Sequence, residues 1–134
     1  MKFSEIERQR WPELQPYMDT CLLPVTGLSG TESPWQAAEA LEKLRDLLDA
    51  AEIPFKGRII SYPAVQYRLS DDLSELDELC RKVKSGGFRY VIAASAAVDL
   101  SRLEEADLAL GPDDSGALPG PSDISLRIRE LWKA

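Results

Sequence analysis

The stretch that decides the fold is LLPVTGLSGTESPW, residues 22–35, where an apolar run passes through a glycine-containing loop into the start of a helix. The run begins upstream, and Met18–Val25 has the composition of a buried strand. We expect Pro24 to mark the end of this strand, because proline cannot donate a hydrogen bond to a sheet ladder. Ser33 and Pro34 are typical of a helix start, since serine caps free backbone amides and proline fits the first turn.

Strands and helices alternate along the rest of the chain, which is typical of βαβ units and a parallel sheet. Because crossovers between parallel strands are right-handed, we predict a three-layer α/β/α sandwich, Rossmann-like or flavodoxin-like, with a mainly parallel sheet of about four strands. The later strands are predicted at Gly57–Val65, Phe88–Ser95 and Ala106–Gly111, and the helices at caps Ser33, Ser70 and Ser122, with a shorter helix over Leu100–Glu105.

Length and composition indicate one globular domain. The chain has 134 residues, of which 44% are hydrophobic and 29% charged. We expect a single α/β domain over residues 1–134, in which residues 1–17 form a helical lead-in. Cys21 and Cys80 fall in predicted core elements, so we expect them to be buried free thiols in a reducing cytoplasm.

Charge and composition argue against several classes of function. The net charge of −7 opposes binding to nucleic acid or to an anionic membrane surface. No apolar segment reaches the roughly 18 residues of a membrane span, and the N-terminal residues do not have the pattern of a secretory signal. We therefore expect a cytoplasmic protein without membrane insertion. The chain has no histidine, the commonest general base and metal ligand, and no cofactor or metal is predicted.

In open parallel sheets, ligands bind beyond the carboxyl ends of the strands. Four loops are expected at that edge, over residues 26–33, 62–68, 95–99 and 111–114. The candidate ligand-binding residues in these loops are Thr26, Gly27, Gly30, Thr31, Ser33, Tyr62, Tyr67, Arg68, Ser95, Asp113 and Asp114.

The first loop, TGLSGTES, has two interpretations. Its glycines and the helix start behind it offer backbone amides to an anion. Its spacing is G-x-x-G, however, with neither the dinucleotide-binding pattern nor the Lys-Ser/Thr of a Walker loop, and Glu32 adds a carboxylate that repels phosphate. A surface loop that caps a helix is the favoured interpretation.

The other loops also have two interpretations each. Tyr62, Tyr67 and Arg68 suit stacking on a base or gripping a carboxylate, or packing at the sheet edge. Ser95 as a nucleophile would need a lysine or carboxylate base, because the chain has no histidine. The adjacent Asp113 and Asp114 suit Mg²⁺ binding or a shared proton, or an ordinary turn. The structural interpretation is favoured in each case.

Two segments and the overall length resemble a known family. The segments are YMDTCLLPV (residues 17–25) and RIISYPAVQY (residues 58–67). With them, the chain resembles the YpiF-like family of small uncharacterised proteins from spore-forming Gram-positive bacteria. The resemblance implies a cytoplasmic bacterial protein and carries no activity or cofactor.

A shorter segment, EADLALGPDDSG (residues 105–116), is similar to part of the nucleoside deoxyribosyltransferase-like enzymes, in which a strand beginning Ala-Asp ends in an Asp-x-Gly turn. A catalytic glutamate follows within a few residues in that family. Here the next glutamate is Glu130, so the resemblance implies binding of a nucleoside rather than its cleavage.

Two functional hypotheses follow. The favoured one is a non-catalytic domain that binds an unknown protein partner or forms a homodimer. Trp11, Tyr17, Trp35 and Trp132 are its candidate interface anchors, or else fill gaps between helices and sheet. The alternative is a domain that binds a nucleotide- or nucleoside-like ligand, hydrolase-like or transferase-like, with its pocket at the carboxyl ends of the strands.

Overall fold

Five strands and four α-helices follow one another along the part of the chain that the computed structural model describes, residues 1–67 and 72–133. The strands are β1 (Thr20–Leu28), β2 (Ile59–Ser61), β3 (Val65–Tyr67), β4 (Tyr90–Ala94) and β5 (Leu108–Leu110), and the helices are α1 (Trp11–Leu14), α2 (Pro34–Glu52), α3 (Ser74–Ser85) and α4 (Pro121–Lys133). Short 3₁₀ helices cover Phe3–Glu5 and Ile53–Phe55. The predicted cap Ser70 and the candidate Arg68 lie outside the described residues.

The sheet is parallel throughout, in the order β2-β1-β4-β5, and β3 also pairs with β1. The chain runs from β1 to β2 on one side and then crosses to β4 on the other. The strand order therefore reverses between β1 and β4, which makes this the topological switch point of the sheet. The predicted parallel α/β architecture is confirmed.

Apolar side chains cover both faces of the sheet, because successive residues of a strand point to opposite faces. Leu22 and Ile92 belong to one buried cluster with residues of α2 and α4. Cys21, Leu23 and Val91 belong to another, with residues of α3 and the N-terminal segment. These two clusters produce the three-layer arrangement.

The prediction that Pro24 ends the first strand is wrong, because β1 continues to Leu28. The carbonyl of Leu22 accepts a hydrogen bond from the Tyr62 amide at 2.8 Å, so the backbone of Leu22 faces β2. The nitrogen of Pro24, two residues further on, faces the same side. There β2 has ended and β3 has not begun, so the missing N–H costs the sheet no hydrogen bond.

Two predicted segments also differ from the structure. The predicted strand Gly57–Val65 is divided into β2 and β3 by residues 62–64, which include Pro63. The predicted helix Leu100–Glu105 is a turn, in which the Leu103 amide donates to the Leu100 carbonyl at 3.0 Å. The amides of Glu104 and Glu105 donate instead to the Asp77 carboxylate of α3 at 2.9 and 3.0 Å. These bonds to α3 replace the helical ones.

The bounds of β5 and the start of α4 differ from the predicted ones by one or two residues. The predicted strand Ala106–Gly111 is shortened to β5, and α4 begins at Pro121, before the predicted cap Ser122. The Ile124 amide donates to the Gly120 carbonyl at 3.0 Å, so the helical hydrogen bonds already start at Gly120.

Candidate functional site

The loops that follow β1, β4 and β5 meet at one edge of the sheet. Ala94 pairs with Leu110, so β4 and β5 end at the same level, and β1, whose Pro24 pairs with Ala94, extends four residues beyond them. The loops are in close contact, since a Cβ atom built on Gly111 would lie 3.1 Å from the Ser95 carbonyl oxygen. The structure thus brings the third and fourth predicted loops into contact.

Gly27 lies against the loop after β4, directly at the switch point. Its φ of +76° suits glycine, and an added Cβ would lie 2.8 Å from Val98 Cγ2 and 3.0 Å from Ala97 Cβ. Val98 is itself buried. The place where ligands of this fold class bind is therefore filled here by the side chain of Val98.

Two backbone amides of the first loop are already bonded to a carboxylate of the chain. Ser29 N donates to both carboxylate oxygens of Glu32, at 3.0 and 3.1 Å, and Gly30 N donates to Oε1 at 3.0 Å. Ser29 Oγ also donates, at 2.9 Å. These bonds, that of the Ser29 amide foremost, lower the pKa of Glu32 to about 2. Glu32 thus occupies the position that a bound anion would take.

Hydroxyl groups of the same loop are likewise bonded within the chain. Ser33 caps α2 as predicted, by accepting from the Gln36 amide at 3.3 Å while Gln36 Oε1 accepts from the Ser33 amide. Thr31 Oγ1 lies 2.7 Å from Ser29 Oγ. Thr26 and Gly27, predicted in this loop, lie instead within β1, because that strand continues to Leu28. Thr26 is buried there, and its hydroxyl donates to the Gln66 carbonyl.

Ser95 has the contacts of a structural residue. It is fully buried, and its Oγ accepts from the Ala97 amide at 3.2 Å and the Val98 amide at 3.0 Å. These bonds hold the turn after β4, and so they position Val98 against Gly27. A serine nucleophile has to present its oxygen to a substrate, which this one does not.

The two adjacent aspartates have different surroundings. Asp113 Oδ1 accepts from the Ser115 amide at 2.8 Å, the Ser115 hydroxyl at 2.6 Å and the Ala117 amide at 3.0 Å. These bonds, with the Ser115 hydroxyl first, lower the pKa of Asp113. Asp114 is exposed. Asp113 therefore organises a turn, and the arrangement supports the turn interpretation of this pair.

The two tyrosines of the second loop lie apart. Tyr67 pairs with Leu28 at the strand-end edge, and 58% of its surface is exposed. Tyr62 follows β2 further down the sheet and packs edge-on against Phe3, with ring centroids 4.5 Å apart. The structure therefore does not place Tyr62 at the crevice between β1 and β4.

A groove that the sequence does not predict lies between α2 and the β2–β3 edge. Its volume is about 550 Å³. Leu41, Leu44 and Leu48 of α2 form one wall, and Pro63 and Ala64, in the break between the two strands, form part of the other. The helical spacing of the leucines was visible in the sequence, but the division of the predicted second strand was not.

Glu52 lies at the base of this groove as a buried carboxylate. It accepts from Ser61 Oγ at 2.9 Å and lies 3.6 Å from Lys2 Nζ and 2.9 Å from the amino group of Met1. Burial raises its pKa, but the hydrogen bonds and positive charges outweigh burial and lower it overall. Glu52 therefore stays ionised and anchors the first residues to the sheet edge.

The four candidate interface aromatics divide into two pairs. Trp11 packs against Phe88, with ring centroids 6.1 Å apart, and Trp132 packs edge-on against Phe55 at 5.0 Å. Trp35 and Tyr17 are exposed over 73% and 71% of their surfaces. The first pair fills gaps in the fold, and the second remains accessible to a partner.

Together these features define a class: a parallel, doubly wound α/β domain in which Val98 fills the crevice at the switch point and the Glu32 carboxylate accepts the amides of the first loop. The particular family is shown by sequence: residues 9–108 match DUF2487, a protein family of unknown function, and the chain belongs to it. The expectation of an uncharacterised family is confirmed at that level. No curated protein and no solved structure matches the chain.

Two kinds of feature are absent from the part of the chain that the structure describes. In residues 1–67 and 72–133, no helix has the length and hydropathy to cross a membrane. In the same residues, no three histidine, cysteine, aspartate or glutamate side chains are grouped so as to hold a metal ion.

Proposed function

We propose that this chain is a non-catalytic domain that works by binding a protein partner or a second copy of itself. The observation that carries the proposal is the Glu32 carboxylate, which accepts the Ser29 and Gly30 amides at 3.0–3.1 Å. A phosphate or carboxylate ligand would need those same donors. To bind there, it would have to displace an anion that is covalently part of the chain.

The packing at the switch point supports the same function. Val98 contacts Gly27, and Ser95, which holds the Val98 turn, is itself fully buried. A ligand would have to separate these loops before it reached the crevice. By contrast, Trp35 on the surface and the leucine-lined groove beside α2 are already accessible, and tryptophan is enriched among the residues that carry the binding energy of protein interfaces.

The alternative is a domain that binds a nucleotide- or nucleoside-like ligand at the strand ends. It is supported by the convergence of three loops at the switch point and by the positive φ angles of Gly27 and Gly30, +76° and +96°. In this alternative, Glu32 leaves the loop when the ligand binds, and Thr31, Ser33, Tyr67, Arg68, Asp113 and Asp114 remain candidate contacts.

The narrower assignment is also proposed: a YpiF-like protein of spore-forming Gram-positive bacteria that works in the cytoplasm. Its support is the pair of segments at residues 17–25 and 58–67 and the match to an uncharacterised family. The buried free thiols Cys21 and Cys80 are consistent with a reducing compartment.

A thermal-shift screen against nucleotides, nucleosides, sugar phosphates and divalent metals separates the two functions. A ligand at about 100 times its Kd adds about 2.7 kcal/mol of stability. We expect no such rise in Tm. A rise that is lost in Gly30→Trp and kept in Gly57→Trp, each compared with its own ligand-free Tm, would overturn the proposal. Gly57 is the matched control, because both glycines have open space around them. Gly57 precedes β2 and so lies at the amino ends of the strands, away from the candidate loops.

A further inference from the structure

A single row of side chains runs along the outside of α2, at every fourth residue. Its members are Leu41, Arg45, Asp49 and Ile53. Ile53 follows the last residue of α2 but keeps helical φ and ψ angles of −61° and −45°, and its amide bonds to the Asp49 carbonyl. Residues four apart are neighbours on a helix surface, so these four form one ridge, inclined to the helix axis, that extends about 18 Å along it.

The ridge is accessible, and its charges are only weakly engaged. Leu41 and Ile53 are exposed over 43% and 58% of their surfaces. Arg45 contacts the neighbouring Asp46 at 3.4 Å in an exposed pair, and such pairs contribute little. Within residues 1–67 and 72–133, no ion pair engages the Asp49 carboxylate. The ridge therefore presents one cation and one anion between two apolar ends.

The order of the side chains along the ridge makes it complementary to a second copy of itself that runs in the opposite direction. If two copies of α2 pack antiparallel about a two-fold axis that passes midway between positions 45 and 49, Leu41 faces Ile53 of the second copy. The same rotation places Arg45 opposite Asp49 of the second copy, and it does so twice. Two-fold interfaces require such a self-complementary surface, since residue i contacts j and j contacts i.

The groove beside the ridge fits the same arrangement. Leu41, Arg45 and Asp49 form one side of the groove that is lined further in by Leu44 and Leu48. Helices pack by placing the ridge of one into the groove of the other. In a two-fold pair, the two ridges would lie side by side, and the apolar ends of each would cover part of the leucine-lined surface beside the other.

We propose that α2 is a homodimer interface, with the ridge Leu41–Arg45–Asp49–Ile53 as its contact and a second copy of this chain as the partner. This inference rests on the proposed function and names its partner. Glu42 and Asp46 flank the ridge on α2. Because both are acidic, the dimer depends on the two Arg45–Asp49 pairs to offset the repulsion between the copies.

Sedimentation equilibrium over a concentration series tests this with two charge reversals. Arg45→Asp places acid opposite acid, and Asp49→Arg places base opposite base, so each variant alone should dimerise at least about tenfold more weakly than the unchanged chain. Mixed together, they should form a heterodimer, because the acidic ridge now faces a basic one. Lys43→Asp is the matched control: it makes the same charge change on α2 but lies off the ridge, paired with Glu39 at 3.3 Å.

The outcomes separate this inference from the proposed function. Circular dichroism and Tm first establish that each variant is folded, and the heterodimer of the mixture supports the ridge directly. A chain that stays monomeric at every concentration overturns the dimer and leaves binding to another protein open. A dimer that is indifferent to both reversals, or equally weakened by Lys43→Asp, overturns the ridge as the contact. Only a ligand found at the strand ends contradicts the proposed function itself.

Discussion

Replacement of Gly27 by alanine tests whether the crevice at the switch point is as tightly filled as the structure shows. The new Cβ atom would lie 2.8 Å from Val98 Cγ2 and 3.0 Å from Ala97 Cβ, and the backbone would keep a φ of +76°. Overpacking of this kind costs about 1–3 kcal/mol, and the left-handed backbone costs about 1–2 kcal/mol for a residue with a side chain. We expect Gly27→Ala to lose roughly 2–5 kcal/mol of unfolding free energy.

The matched control is Gly30→Ala in the same loop. Gly30 also has a positive φ, +96°, but a Cβ atom added there would have no neighbouring atom within 4 Å, so only the backbone cost of about 1–2 kcal/mol applies. Urea unfolding followed by circular dichroism measures both variants. Val98→Ala should restore part of the loss in the Gly27→Ala background, with a coupling energy of about 1 kcal/mol or more. Equal losses at positions 27 and 30, without coupling to Val98, would refute the reasoning.

Three other features give testable predictions. Burial raises the pKa values of the Cys21 and Cys80 thiols to about 12 and about 11, so neither should react with Ellman's reagent until the protein is unfolded; rapid labelling of the native chain would contradict their burial. Glu52→Gln should destabilise the fold by about 1–3 kcal/mol at neutral pH. Because the pKa of Glu52 is lowered in the folded state, its contribution to the unfolding free energy is fully present above the unfolded-state pKa of about 4.3 and is lost as the pH falls through the folded-state pKa. A difference in unfolding free energy between Glu52→Gln and the unchanged chain that grows on acidification would contradict this. Arg58→Lys should lower the unfolding free energy by about 1–2 kcal/mol, measured by urea unfolding. The reason is that the guanidinium carbon of Arg58 lies 4.0 Å from the Trp132 ring centre, and two of its nitrogens donate to the Asp19 carboxylate. An unchanged urea midpoint would show that the stacking and the paired hydrogen bonds contribute nothing.

The fold was predictable because its signals are local. Ser33 and Pro34 marked the start of α2, and the apolar run before them marked β1. The errors arose where a contact distant in sequence decides the local structure. Pro24 is tolerated inside β1 because the neighbouring strand is interrupted beside it. The Leu100–Glu105 segment is not a helix because its amides bond Asp77, more than 25 residues away.

The location of the candidate site was predictable from the sequence, but the contacts within the chain that fill it were not. The sequence predicts Gly27, Ser95 and Asp113 in loops at the carboxyl ends of the strands. The structure brings the loops after β4 and β5 together and places Gly27, which lies within β1, against the loop after β4. The sequence also showed that Glu32 would oppose a phosphate. That Glu32 itself bonds the Ser29 and Gly30 amides depends on a turn geometry that residue types alone do not specify.

An NMR titration tests most directly whether the Glu32 carboxylate fills the place that an anion would take in the first loop. The carboxyl carbon of Glu32 and the amides of Ser29 and Gly30 would be followed with pH and, at neutral pH, with added inorganic phosphate. We predict that Glu32 shows no titration near the ordinary glutamate value of about 4.3, consistent with its pKa of about 2, and that phosphate leaves both amides unmoved. An ordinary titration of Glu32, together with saturable shifts of the two amides on adding phosphate, would contradict the account and establish the loop as a ligand site.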